Sequence, residues 1–265
     1  MVSFDAMLGR AAALLYPPVC PGCGAETGTP RTLCPACWRE TIFLSRRGCQ
    51  GCGRPIPELA SGETSFRCDD CDAHGRFWSR GRAALAYSGT GRRLALSLKH
   101  GDRLDTVPML AGWMLRAGGD LVAEADLIVP IPLHWTRRLK RRANQSAELA
   151  RALCRLADKP RAFAPLLLRR NRATESQDGK DAAARRANLA GAITVAPGAA
   201  RRVKGRRMLL VDDVLTTGAT LSAATEVLES AGATDIDVLV MALVIREGAH
   251  HFAPDREDYP ETEGG

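Results

Sequence analysis

From Arg82 onward, short apolar runs of strand length alternate with longer segments in which apolar residues recur every three or four positions. The runs predict strands at 83–87, 126–131, 166–168, 208–211 and 236–245. The helical spacing predicts helices at 91–99, 106–116, 144–157, 181–189 and 221–231, with Asp181 capping the fourth and Gly232 stopping the fifth. Strands alternating with helices specify an α/β fold whose parallel sheet carries helices on both faces. Residues 1–76 break this pattern. They begin with a short apolar stretch read as a helix, then turn cysteine-rich and poor in aliphatic residues. The last residues, 251–265, are acidic and unpatterned and read as a mobile tail. Three segments result: 1–76, 77–250 and 251–265.

Composition sharpens this division. The chain has 265 residues, 45% of them hydrophobic, enough for a packed core in the larger segment. No apolar run approaches a membrane span, so no membrane insertion is expected. Eight of the nine cysteines form four Cys-x-x-Cys pairs: Cys20/Cys23, Cys34/Cys37, Cys49/Cys52 and Cys68/Cys71. Ten residues separate the first two pairs and fifteen the last two. Each pair presents two thiolates from one turn, the spacing of structural zinc. We assign one Zn2+ to Cys20, Cys23, Cys34 and Cys37 and a second to Cys49, Cys52, Cys68 and Cys71. An interleaved pairing satisfies the same spacing. Apolar burial alone does not hold such a segment together, so its folding is expected to require metal and a chelator to abolish its protease resistance. Four disulfides in a secreted domain are the competing reading, and no secretory signal precedes Pro17-Pro18. Zinc-spaced, reduced cysteines without a targeting segment lead us to expect a cytoplasmic protein. Cys154, at helical spacing, reads as a small core residue.

Met208–Val211 is followed by Asp212-Asp213-Val214-Leu215-Thr216-Thr217-Gly218-Ala219-Thr220 and then a helix. Hydroxyls and backbone N–H groups thus collect at a helix N-terminus, where partial positive charge favours a phosphate. The carboxylate pair stands one step earlier, at a strand's carboxyl end, and suits ribose hydroxyls or magnesium. Together these parts describe a pocket for a ribose 5-phosphate. A plain strand–turn–helix with a threonine cap needs neither the aspartates nor three threonines.

Three basic runs accompany the pocket. Residues 137–142 hold five cations in six positions directly after a strand, which suits a pyrophosphate. A second run extends from Arg169 to Asn188. The third, Arg201 to Arg207, precedes the signature strand at its other end and reads mainly as a solvated face. The net charge of +7 and a pI near 9.1 permit contact with nucleic acid, while aromatics at 5% leave few stacking platforms for single strands. Trp38, Phe66, Phe77 and Trp78 lie near the cysteines, where they pack between segments or stack on bases.

The segment Asp212–Thr220 resembles the phosphoribosyl pyrophosphate (PRPP) signature of type I phosphoribosyltransferases. That resemblance implies that Asp212 and Asp213 hold the ribose hydroxyls, and that Thr216, Thr217, Gly218, Ala219 and Thr220 cradle the 5-phosphate, with Mg2+ accompanying PRPP. The whole of 15–247 resembles the competence protein F (ComF) family, double zinc ribbon phosphoribosyltransferase-like proteins. The residues carrying it are the four cysteine pairs; Leu98-Lys99-His100-Gly101; Val129-Pro130-Ile131-Pro132-Leu133-His134; Arg142-Ala143-Asn144-Gln145; Arg169, Arg172, Thr174 and Gln177; Arg186 and Asn188; and the signature. Ala143 departs from the family's aromatic residue.

The resemblance implies a type I phosphoribosyltransferase-like sheet behind a small double zinc ribbon. Arg137 and Arg138 belong to its pyrophosphate loop and, with Asp212 and Asp213, form the catalytic set. Arg169, Arg172, Gln177 and Arg186 belong to a flexible loop, and Lys99 reaches the same phosphates. Two functions are then open. One is phosphoribosyl transfer to an unidentified acceptor. The other is a non-catalytic, nucleic-acid-binding accessory of DNA uptake, with single-stranded DNA or the uptake machinery as partner and a regulatory PRPP site. Met1-Val2 opens the sequence and Cys20 belongs to a zinc pair, so glutamine-dependent phosphoribosylamine synthesis is not expected. The chain carries neither a Ser-His-Asp triad nor a metal-hydrolase motif.

Overall fold

The computed structural model describes residues 17–44, 48–56, 66–74, 76–100, 103–133, 143–171 and 191–245. Within them the elements run, in chain order, α1 Pro35–Glu40, α2 Asp69–His74, β1 Gly81–Ala86, α3 Gly89–His100, α4 Val107–Glu124, β2 Leu127–Pro130, α5 Gln145–Leu156, β3 Leu168–Arg170, β4 Ile193–Val195, α6 Ala200–Val203, β5 Arg207–Leu215, α7 Ala219–Ser230 and β6 Asp235–Leu243. The expected helix at 181–189 and the segments 1–16 and 246–265 lie outside the described residues. No described helix is long and apolar enough to cross a membrane.

Four strands form one all-parallel sheet in the order β1-β6-β5-β2, and β3 and β4 make a separate antiparallel pair. The residues of β5 and β6 are apolar nearly throughout because this pair is central and covered on both sides. One face packs Ile128, Leu209, Val211, Leu239 and Met241 against the apolar stripes of α3, α4 and α5. The other face packs Val129, Leu210, Val238 and Val240 against Leu221, Ala224 and Leu228 of α7, Leu168 and Ile193 of the hairpin, and the cysteines of the second cluster. Helices therefore stand on both faces, and a cysteine cluster completes the second one. Between the clusters the chain pairs with the open edge of β1: Leu44 N–H donates to Ala84 O at 2.9 Å and Ala86 N–H to Ile42 O at 2.9 Å.

Several elements differ from their sequence patterns. The strand expected at 208–211 continues to Leu215 because β6 stays in register to the pair Leu215↔Leu243, which carries both signature aspartates inside the strand. The helix expected to stop at 116 reaches Glu124, with Gly118 non-helical at φ −138°, ψ 32°. A Cβ on Gly118 would stand 2.8 Å from Leu239 Cδ1, so the bare backbone lets the helix lie close on the sheet. The strand expected at 166–168 is shifted to Leu168–Arg170 and leaves Leu166 71% exposed. The three-residue β4 and four-residue α6 are too short for periodicity to register.

Candidate functional site

The carboxyl end of β5 delivers Asp212 and Asp213 side by side, both half-buried. Asp212 Oδ1 accepts from Ser146 Oγ on α5 at 2.8 Å and from Asp213 N–H at 2.9 Å, while Asp213 Oδ1 accepts from Val214 N–H at 2.8 Å. Burial pushes the Asp212 carboxyl up to about 8; the adjacent Asp213 carboxylate adds to the rise and the Ser146 hydroxyl opposes it. Two hard oxygen donors so placed suit hydroxyls or a magnesium ion.

Beyond them Thr216 and Thr217 lead to Gly218, left-handed at φ +79°, where α7 begins. No side chain caps α7, and Thr217 Oγ1 accepts only a long 3.5 Å bond from Ala219 N–H. First-turn N–H groups of a helix have no partner inside it, so this end can receive an anion. The loop is held from below by a residue that sequence reading passed over. Arg76 Nη1 donates to the Thr217 carbonyl, Nη2 pairs with Asp70 at 3.0 Å, and the guanidinium lies 5.3 Å from the Trp78 ring centre. Trp78 Nε1 in turn donates to Gly51 O at 2.6 Å.

Asp212, Asp213, Thr216, Thr217, Gly218, Ala219 and Thr220 are thus gathered at one sheet edge. Two further expected contributors are among the described residues. Lys99, on the last turn of α3, is half-buried and makes no hydrogen bond or ion pair with a described residue, and Arg169 is exposed on β3. Arg137, Arg138, Arg172, Gln177 and Arg186 lie outside the described residues. Ser146, Asn144 and Gln145 stand where α5 meets the aspartates. Asn144 Nδ2 donates to Ile131 O at 3.0 Å, while Asn144 Oδ1 and Gln145 Nε2 are buried without a partner among the described residues. Asn144 and Gln145 belong to a motif that carries the family resemblance, without a role in the site having been read from it; nothing local pointed at Ser146.

The eight paired cysteines form two clusters, Cys20/Cys23/Cys34/Cys37 and Cys49/Cys52/Cys68/Cys71, grouped sequentially and not interleaved. Sulfur separations are 3.6 Å for Cys23–Cys34, 3.6 Å for Cys49–Cys71 and 3.7 Å for Cys52–Cys68. These match the edge of about 3.8 Å in a tetrahedron of roughly 2.3 Å zinc–sulfur bonds and exclude disulfides. In each cluster a backbone N–H meets the first sulfur: Cys34 to Cys20 at 3.3 Å, Cys68 to Cys49 at 3.2 Å. The backbone bond from Cys37 draws the Cys34 thiol down to about 7, and burial pushes Cys37 up to about 12. In the second cluster Cys52 draws Cys49 strongly down while Cys49 pushes Cys52 strongly up. A dication resolves such opposed pulls by taking all four sulfurs as thiolates, and both clusters are consistent with zinc sites. All nine cysteines are unbridged; Cys154 is buried in α5 and burial raises its thiol to about 11, as suits a core residue.

Three arginines of the third basic run are exposed, as expected, and also border a cleft. Arg201, Arg202 and Arg206, with Lys159 and Arg161, line a cleft of about 790 Å³ at the amino ends of β2 and β5. Lys159 spends its three protons on the carbonyls of Val122, Ala123 and Ala125 at 3.1, 2.7 and 2.7 Å, closing the end of α4. Arg206 makes a loose 3.4 Å pair with Asp126. Arg161, Arg201 and Arg202 have no ion pair among the described residues.

Residues 11–72 match the double zinc ribbon domain family and residues 143–260 the phosphoribosyl transferase domain family. Over 222 residues the chain is 30% identical to the DNA utilization protein YhgH of Salmonella typhi, which spans 76% of this chain and 94% of that protein. The Escherichia coli K12 protein of the same name is 27% identical over 83% of this chain and 88% of its own. Competence protein F of Haemophilus influenzae is 35% identical over 117 residues, 44% of this chain and half of that relative's length. Among solved structures, the allosteric regulatory enzyme of purine biosynthesis is similar over 55% of this chain and 30% of its own, at 20% identity and a TM-score of 0.37.

Proposed function

This chain belongs to the ComF/YhgH family, which joins a double zinc ribbon to a phosphoribosyltransferase domain, and we propose that it holds magnesium-bound PRPP at the carboxyl end of β5. The observation that carries this reading is the pair Asp212 and Asp213 running directly into an uncapped helix N-terminus through a left-handed glycine. The two carboxyl groups hold the ribose 2- and 3-hydroxyls. The N–H and hydroxyl groups of Thr216 to Thr220 take the 5-phosphate, aided by the helix dipole. Ser146 keeps Asp212 aimed at the ribose. Arg137 and Arg138 answer the charge of the pyrophosphate, and Arg169, Arg172, Gln177 and Arg186 lie on the segment that covers it. Magnesium, when bound with PRPP, supplies further neutralisation of the pyrophosphate charge.

If transfer takes place, the bond from the anomeric carbon to pyrophosphate breaks as the acceptor's bond forms, and the acceptor's proton leaves to solvent. The oxocarbenium-like transition state asks for positioning and charge neutralisation more than for a strong base. Nine unbridged cysteines suit a reducing compartment, and we place the protein in the cytoplasm. Calorimetric titration of PRPP and magnesium into the zinc-loaded chain tests the site. Heat of binding that disappears in Asp212→Asn/Asp213→Asn is expected; a wild-type chain that takes up no PRPP refutes it.

A specific observation favours nucleic acid as a second partner. The arginine cleft at the amino ends of β2 and β5 is about 17 Å from the aspartates, five strand residues away. Its lining sets Lys159 and four arginines against Asp126 and Asp158 and carries no aromatic side chain, so its excess positive charge suits phosphates and not bases. With Arg161, Arg201, Arg202 and Arg206 each meeting a phosphate, log affinity for single-stranded DNA falls against log salt with a slope of roughly −3. Arg201→Ala/Arg202→Ala is expected to flatten that slope by about 1.4. No binding at low salt removes this reading.

A further inference from the structure

We propose that Arg76 makes the second zinc cluster a working part of the phosphate loop, so that zinc at Cys49/Cys52/Cys68/Cys71 and PRPP at the loop strengthen each other's binding. The inference rests on the reading of that loop as the 5-phosphate site. Its physical basis is an unbroken path of contacts. Cys68 and Cys71 bracket Asp70 on α2; the Asp70 carboxylate holds Arg76 Nη2 at 3.0 Å; Arg76 Nη1 grips the carbonyl of Thr217. The arginine side chain is only 4% exposed, so it has no freedom to swing into solvent and return.

The grip fixes the direction of one peptide plane. In a trans peptide the C=O of one residue and the N–H of the next point opposite ways, and the structure contains no cis bond among the described residues. With the Thr217 carbonyl turned to Arg76, the Gly218 N–H faces away from the zinc module, as a loop that cradles an anion requires. The space around Gly218 is cut to this arrangement. A Cβ there would collide with Arg76 Nη1 and come within 2.7 Å of Trp78 Cη2. Trp78 itself is pinned to Gly51, between the ligands Cys49 and Cys52, by the 2.6 Å bond from its indole. Two independent struts, Asp70–Arg76 and Gly51–Trp78, therefore run from this cluster to the loop.

Zinc holds α2 in place because that six-residue helix is too short to persist by itself. Without zinc, Asp70 is released, Arg76 loses its anchor and the Thr217 peptide is free to turn. Coupling of this kind is reciprocal: whatever zinc adds to PRPP affinity, PRPP adds to zinc affinity. Among the described residues the first cluster shows no such path; its polar ties run to α3 through Arg93 and Thr90. Arg76 is thus a positioning residue that touches neither metal nor ligand.

The test uses the full zinc-loaded chain and two readouts: PRPP affinity with magnesium, and the rate of zinc loss to a chromogenic chelator with and without PRPP. In the wild type, PRPP is expected to slow the loss of one of the two zinc ions several-fold and leave the other unchanged. In Arg76→Met, with both zinc ions still bound, PRPP affinity drops at least tenfold and the protection disappears; Arg76→Lys recovers part of each. Should Arg76→Met fail to fold, Asp70→Asn carries the same test, with a smaller loss of affinity and reduced protection. Wild-type affinity, or undiminished protection, in a folded Arg76→Met or Asp70→Asn chain overturns the coupling while leaving the loop's assignment intact. A wild-type chain that fails to bind PRPP overturns the assignment and the coupling with it.

Discussion

The two four-cysteine clusters share a ligand set but differ in their place in the fold. The first sits at the margin, with Cys23 exposed and Cys34 half-exposed, and is tied to the sheet domain by a polar bracket. The second has all four sulfurs buried and shares one apolar cluster with Ala83, Val238 and Val240 of the sheet. Arg67 packs with Cys71 against Gly51, and its Nη2, like Arg54 Nε, is buried without a partner among the described residues. A tetrathiolate zinc carries two negative charges, and buried guanidinium groups beside it balance them. The shared Cys-x-x-Cys pairs make both clusters fit zinc, and position in the core tells what depends on each. The largest effect follows. Cys49→Ser/Cys52→Ser removes a structural zinc from the sheet's second face, and the loss, on the order of 10–16 kcal/mol, is comparable to the roughly 5–15 kcal/mol that holds a domain together. That variant is expected to be unfolded by circular dichroism and to bind neither zinc at full strength. Cys20→Ser/Cys23→Ser is expected to lose one zinc and keep the melting transition of the sheet. Equal damage from the two variants would erase the distinction.

Two tryptophans sharpen the same contrast on a smaller scale. Trp78 is 1% exposed beneath the second cluster and donates to Gly51. Trp38 is partly buried beside the first, 4.7 Å from Phe43 and 6.4 Å from Trp113 between ring centres. Trp78→Ala is expected to cost about 3–5 kcal/mol in urea unfolding, the upper range for a buried aromatic. Trp38→Ala is expected to cost less. Both tryptophans pack between the cysteine modules and the sheet, whereas Phe66 and Phe77 are 36% and 47% exposed.

What could be read in the sequence was what lies close together in it. The cysteine pairs, the aspartates with their threonine loop, and the apolar runs of β1, β5 and β6 are each contiguous, so spacing and periodicity expose them. The contacts that give those parts their setting are distant. Arg76 reaches Thr217 across 141 positions and Ser146 reaches Asp212 across 66. A lone arginine or serine carries no periodic signal, and only the fold brings it to its partner. The extension of α4 past Gly118 escaped for a related reason. Glycine normally weakens a helix, and here close packing on Leu239 makes it the residue that fits. The third basic run was legible as charge but not as a cleft, because Lys159 and Arg161 join it from another part of the chain.

Asp212 supplies a reference that touches neither cluster. Its carboxyl is raised to about 8 in the folded chain, far above the ordinary 3.8, because burial and Asp213 disfavour the charge. The folded state therefore holds this proton where the unfolded state has released it. The contribution to stability is full below the unfolded value and is lost as pH rises through about 8. Asp212→Asn should flatten the fall in urea-unfolding stability between pH 5 and pH 8.5 and raise stability at the alkaline end. Zinc content should stay at two ions per chain while PRPP binding is lost. A steeper pH dependence in the variant, or loss of a zinc ion, would contradict this.

The smallest effect belongs to the bracket at the first cluster. Arg93 donates to Glu40, to Gly22 O at 2.9 Å and to Cys37 Sγ at 3.7 Å, while Thr90 Oγ1 donates to Glu40 at 2.7 Å. Arg93 pulls the Glu40 carboxyl below its usual range, but the pair stands in solvent, where such attraction is screened and offset by side-chain ordering. Glu40→Gln is expected to leave the melting transition of the sheet unchanged. Arg93 also touches a ligand sulfur, so losing its carboxylate partner lets the guanidinium drift. The variant should therefore release its first zinc to a chelator faster than the wild type, and more so at low salt, where the intact pair is strongest. The second zinc, held in the sheet's own core, should leave at the wild-type rate. Faster release of both ions would mean that the two clusters communicate through the sheet, and that the margin and the core are not separate after all.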